Sequence, residues 1–174
     1  EASAFLGRAA VAWPEPVGQG RVSESRDLSD EEPRLGVFVC ECNGDLAAIG
    51  PAEVVAWAGG QPGVAVVQAV QEGCSPAGRA AIQAVIEREG LNRVVVAGCS
   101  ERLYGDEFEG LMAATGLDPR LLVRVNLREQ VAYPHRGNGA GLTAKAESLV
   151  GMAVARLRAM AGLKALSARS SRCW

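Results

Sequence analysis

The chain has 174 residues, 48% hydrophobic and 5% aromatic, with a net charge of −2 and a pI near 5.5. That is one domain's worth of chain, with a core to be built from Val, Leu, Ala and Ile rather than from rings. No global field favours nucleic acid or an anionic membrane, and no run approaches the roughly 20 apolar residues of a membrane span.

Residues 1–33 hold seven acids against three arginines, with Pro14, Pro16, Gly18, Gly20 and Pro33 among them. They read as an irregular linker or extension. Glu1 in place of Met leads us to expect a fragment, a processed product or a domain of something longer. From Arg34 the pattern turns to alternating strands and helices. A strand is predicted at 34–40, a short helix at 52–58 behind Pro51, and a strand at 63–70 opened by Pro62-Gly63. Ser75-Pro76 supplies a cap and a first-turn proline for a helix at 76–89, with Ala80, Ala81, Ala84, Val85 and Ile86 at helical spacing and Gly90 to end it. A strand follows at 93–98, a helix at 104–115, and a strand at 121–125. A last helix at 142–162 carries Leu142, Ala146, Leu149, Val150, Val154 and Leu157 on one stripe. Residues 163–174, with Lys164, Arg169 and Arg172 and no acid, read as a basic tail.

This alternation implies an α/β domain at 34–162: an open, mostly parallel, four-stranded Rossmann-like sheet flanked by helices, in the order 2-1-3-4. No Gly-x-Gly-x-x-Gly or Walker sequence supports a dinucleotide or phosphate site. No secretory pattern is present, so the five cysteines point to a reducing, cytoplasmic setting, where grouped thiols bind metal or do chemistry.

Cys40 and Cys42 follow the first predicted strand, Cys74 the second and Cys99 the third. Ligands of open parallel sheets gather at the carboxyl ends of strands, so these thiols are aimed at one region. Gly44, Gly73 and Gly98 lie near them and leave room for bulk. The spacing is unlike a Cys-x-x-Cys run, so position on the sheet carries the argument. An iron–sulfur cluster takes four thiolates. A structural zinc also takes four, usually in close pairs. A redox dithiol would leave Cys74 and Cys99 unexplained. Buried cysteines also serve as small hydrophobes. The cluster is the leading expectation, and Cys173 reads as a stray terminal thiol.

Arg34-Leu35-Gly36-Val37-Phe38-Val39-Cys40-Glu41-Cys42 resembles the amino-terminal segment of the A subunit of heterodisulfide reductase and its bacterial relatives. So do Glu72-Gly73-Cys74-Ser75-Pro76-Ala77-Gly78, the run Leu91 to Ser100, and Val125-Asn126-Leu127-Arg128-Glu129-Gln130 with His135 beyond. The resemblance covers about 34–160. It implies one [4Fe-4S] cluster, an electron-transfer role, and flavoprotein or ferredoxin-like partner subunits or domains. FAD belongs to a separate domain or partner. Two departures stand out. Glu101 replaces the proline of the family's Cys-Ser-Pro-Arg, and Val131 stands where many relatives have cysteine. The other reading is a structural interaction domain with a four-cysteine zinc site or no metal.

Asn126, Arg128 and Gln130 follow the fourth strand at the same sheet edge. Arg128 could offset the charge of a thiolate-ligated cluster, with amide donors tuning its potential. Asn126 and Glu129 also read as a capping box at a helix start. His135, the only histidine, reads as a surface residue, and Trp57 and Phe108 as core. No catalytic acid, base or nucleophile is called for in this segment.

Overall fold

Four apolar runs form one sheet: β1 (Leu35–Cys40), β2 (Val64–Val70), β3 (Arg93–Gly98) and β4 (Leu122–Asn126), in the order β2-β1-β3-β4. The structure is a computed structural model that describes residues 25–135 and 140–162. The expected class and strand order both hold, and every strand pair is parallel. The central strands β1 and β3 are buried along their whole length. A strand covered on both faces has no solvent side to mark with polar residues, hence the unbroken apolar runs.

Helices cover both faces. On one, α1 (Pro51–Gly59) and α4 (Leu142–Ala159) pack on Leu35, Val37, Val39, Val95 and Ala97. On the other, α2 (Pro76–Glu89) and α3 (Glu101–Ala114) pack on Phe38, Cys40, Val94 and Val96. In α4 the predicted stripe is buried at Leu142, Ala146, Val150, Val154 and Leu157, joined by Ala153. In α2 the buried residues are Ile82, Val85 and Ile86, while Ala80, Ala81 and Ala84 are exposed. Small side chains satisfy a periodic pattern without fixing which arc of a helix turns inward.

Helix α3 starts at Glu101, three residues before its predicted start. Ser100 caps it by accepting from the Arg102 N–H, and Tyr104 leaves helical geometry at φ −142°. The regular apolar period begins only past this kink, at Phe108, Leu111 and Met112.

At the amino-terminal edge of the sheet, packing begins before Arg34. Leu28 is fully buried in the α2–α3 side of the core. Burying a leucine stabilises by about 1.5–3 kcal/mol, so Leu28 adds to this side of the core. Buried Asn92 donates to the Glu32 carbonyl at 2.8 Å, and buried Arg93 donates to the Met160 carbonyl at 2.9 Å. The amino-terminal segment, β3 and the end of α4 are thereby tied together. Residues 1–24 and the basic tail with Cys173 lie outside the described residues.

Candidate metal centre

Strand parity decides what reaches the carboxyl edge. Phe38 pairs with Val96, and Val96 with Arg124, so all three point to the α2–α3 face. Two residues further along, the same face receives Cys40 at the end of β1 and Gly98 at the end of β3. A Cβ on Gly98 would stand 3.0 Å from Cys40 Cβ and 3.1 Å from its Sγ. Gly73 in the loop after β2 is as tight: a Cβ there would stand 2.7 Å from Cys40 Sγ. The space around the Cys40 thiol exists because two neighbouring positions have no side chain.

Cys42 sits in a left-handed turn. Cys42, Asn43 and Gly44 have φ of 48°, 54° and 92°. Only glycine takes this region freely, and a non-glycine residue held there costs of order 1–3 kcal/mol. The turn is held by the Asn43 N–H donating to the Gln71 carbonyl at 3.4 Å and the Asp45 N–H to the Cys42 carbonyl at 3.1 Å. It bends the chain back over the strand end, so the Cys42 thiol meets Cys40 and Cys99.

Cys74 is set by the start of α2. Ser75 Oγ accepts from the Gly78 N–H at 3.0 Å and donates to the Glu72 carbonyl at 2.8 Å. Arg79 donates to the Cys74 carbonyl. Gly78 abuts the Glu72 carbonyl with no room for a Cβ. Within Gly73-Cys74-Ser75-Pro76-Ala77-Gly78, the two glycines thus serve close approach, and Ser75 and Pro76 the start of the helix. Cys99 is fixed from β4: the Leu127 N–H donates to the Gly98 carbonyl at 2.7 Å, and the Ser100 N–H to Glu129 Oε2 at 2.9 Å.

The four thiols are free and line one cavity of about 410 Å³, together with Asp45, Leu103, Tyr104, Phe108, Arg124 and Arg128. Cys40, Cys42 and Cys99 are joined by thiol hydrogen bonds. The bond from Cys42 holds Cys40 below the usual thiol range, against its burial. Giving that bond pushes Cys42 up to about 12. Cys99 is raised by its bond to Cys42 and by burial, with Arg124 pulling the other way. Of these three, Cys40 is therefore the thiol most ready to ionise. Among the described residues no three His, Cys, Asp or Glu side chains are placed as ligands of a single ion. As a donor set, clustered thiols suit soft metals and iron–sulfur clusters over hard cations.

The chain is 40% identical over 143 residues to the A subunit of the H2:CoB–CoM heterodisulfide, ferredoxin reductase of Methanothermobacter thermautotrophicus, across 82% of this chain and 22% of that protein. It is 38% identical over 140 residues to the second iron–sulfur A subunit of the CoB–CoM heterodisulfide reductase of Methanopyrus kandleri, 80% of this chain and 21% of the relative. The chain belongs to the family of heterodisulfide reductase A subunits. It is also 36% identical over 140 residues to the A subunit of the ferredoxin/F420H2-dependent CoB–CoM heterodisulfide reductase of Methanosarcina acetivorans, 80% of this chain and 18% of that one. It spans about a fifth of the length of these curated relatives. No protein-family model matches the chain.

The two departures from the family pattern fall in well-defined places. Glu101 is exposed in the first turn of α3, where a carboxylate suits the positive end of a helix. Val131 is fully buried in the core on the α1–α4 face, with Leu127 and Ala132, and is not among the residues that line the cavity.

Cys40, Cys42, Cys74, Cys99 and Arg128 are brought together at the cavity. Asn126 and Gln130 are not: they border another depression, beside Leu149, Met152 and Arg156. Asn126 Oδ1 accepts from the Glu129 N–H at 2.9 Å, as a cap would. The reciprocal half of a capping box is replaced, since the Glu129 carboxylate bonds Ser100 and Arg128 instead. The turn it opens, Arg128–Ala132, is a wide π-type turn rather than the start of a long helix. His135 Nδ1 bonds the Val131 carbonyl at 2.8 Å and does not line the cavity. Phe108 is core, as expected, and Trp57 packs partly buried against the core of the α1–α4 face. Arg124 also lines the cavity, a place the sequence does not mark. Its signal is a charge in a short apolar strand, in register with buried Val96.

Proposed function

We propose that residues 34–162 form an electron-transfer domain that holds one [4Fe-4S] cluster on Cys40, Cys42, Cys74 and Cys99. The observation that carries this reading is the pooling of four thiols from three strand ends around one cavity. The bare walls at Gly73 and Gly98 suit a bulky group better than a single ion. The cluster, when bound, supplies one-electron chemistry. The protein's part is to bury it, fix the thiolates and set the charge around it. Of the polar residues after β4, we assign Arg128 a place beside the cluster, while Asn126 shapes the turn that carries Arg128.

The relatives are named as subunits of CoB–CoM heterodisulfide reductases. We infer a similar setting here: one part of an oxidoreductase assembly, with a flavoprotein and a ferredoxin-like carrier among its partners and FAD held elsewhere than in this domain. Among the described residues no helix is long and apolar enough to cross a membrane.

Anaerobic purification followed by reconstitution with iron and sulfide tests the reading. A brown chain with about four irons and four sulfides is expected, the content of a [4Fe-4S] cluster. Changing any one of Cys40, Cys42, Cys74 or Cys99 to Ser should lose or convert the cluster, and Cys173→Ser should leave the absorption spectrum unaltered. A colourless chain with one zinc would return the domain to a structural, interaction-type role.

A further inference from the structure

Two arginines stand on the wall of the thiol cavity, and their surroundings differ. Arg128 Nε donates to Glu129 at 2.8 Å, another of its nitrogens lies 3.8 Å from Asp45, and the Tyr133 ring is 5.7 Å away. Two carboxylates of the protein answer its charge. Among the described residues no carboxylate pairs with Arg124. Its guanidinium lies 4.6 Å over the Phe108 ring, 3.3 Å from the Glu101 carbonyl, 3.4 Å from the Cys99 carbonyl and 3.6 Å from Cys99 Sγ. Its Nε is buried with no hydrogen-bond partner.

A guanidinium cannot shed its proton, and a half-buried cation without a counter-charge is costly. Strand parity points Arg124 at the face that carries Cys40, and Phe108 supports it from below. The group that can answer this charge is whatever negative charge the thiols gather on ligating.

We propose that Arg124, rather than Arg128, is the residue that positions Cys99 and compensates the charge of the cluster, raising its reduction potential. This rests on the cluster reading of the cavity. A nearby cation favours the reduced, more negative state, and the cation with no carboxylate of its own exerts the larger share.

The test loads the full chain and its Arg124→Gln, Arg124→Lys and Arg128→Gln variants anaerobically, counts iron and sulfide, and reads midpoints by EPR-monitored redox titration. Arg124→Gln should hold its iron with a more negative midpoint. Arg124→Lys should recover most of that shift, and Arg128→Gln should move the midpoint less than Arg124→Gln. Arg124→Met, which keeps an unbranched stem over Phe108, replaces the Gln variant should that one not load. Loading by Lys but by neither neutral variant also supports the need for a charge. A loaded Arg124→Gln with the parent midpoint, or a Lys variant displaced as far as the Gln variant, overturns the proposal and leaves the cluster standing. A parent chain that takes up no iron and sulfide overturns the cluster reading and this proposal with it.

Discussion

The Cys40 thiol owes its setting to what its neighbours lack. Gly73 and Gly98 both face it, and neither needs glycine for a left-handed backbone; they need it for space. A methyl at Gly73 collides with the sulfur 2.7 Å away. Gly73→Ala should therefore destabilise the chain by about 1–3 kcal/mol, the usual range for overpacking a tight site, and lower its iron uptake. Urea unfolding and iron analysis check both. Parent-like values in both would show that the thiol swings aside freely. Gly73 and Gly98 were legible in the sequence as neighbours of cysteines, but their shared target was not, because it depends on which strand ends meet. Arg124 was illegible for a related reason. One charge in a short edge strand reads as a solvent-facing residue until the register with buried Val96 is known.

At the scale of elements, unbroken apolar runs gave away β1 and β3, and Ser75-Pro76 with Gly90 marked both ends of α2. The turn Arg128–Ala132 was marked only by Asn126 and Glu129, which read as the capping box of an ordinary helix. There the Asn126 side chain accepts from the Glu129 N–H of the turn itself, while the Glu129 carboxylate turns to the Ser100 N–H of the β3–α3 loop. Glu129 is the brace of the Cys99 loop, holding the Ser100 N–H at 2.9 Å and Arg128 at 2.8 Å. Glu129→Ala leaves both donors without that partner, and a lost hydrogen bond of this kind costs about 1–3 kcal/mol. Chemical denaturation should show that loss, with faster amide exchange in the β3–α3 loop. Unchanged exchange there would mean that the loop is held from β3 alone. The cap of α2 is a smaller effect: Ser75→Ala should cost about 1 kcal/mol.

Over the whole molecule the two ends of the sheet have different work. At the amino-terminal edge Leu28, Asn92 and Arg93 lock the incoming chain and α4 to β3 with buried contacts. At the carboxyl edge the loops carry thiols, a strained turn and a cavity. A group that binds only the folded loops stabilises them by mass action. Oxidative removal of a bound cluster should therefore lower the melting temperature. Hydrogen exchange should quicken at 41–46, 71–75 and 99–104 and stay as it was at 28–35 and 90–93. Quickening spread evenly over both edges would contradict this division.

Native mass spectrometry of the anaerobically reconstituted full chain, run beside Cys74→Ser, tests the central claim most directly. Of the four thiols proposed as ligands, Cys74 alone follows β2, so it is the one whose loss separates a site on three loops from one on the three thiols after β1 and β3. The chain should gain the mass of four irons and four sulfides as one increment, the composition of a [4Fe-4S] cluster, and Cys74→Ser should lose or convert that increment. A chain that gains a single zinc, or a Cys74→Ser variant that keeps the full increment, would contradict a cluster held on Cys40, Cys42, Cys74 and Cys99.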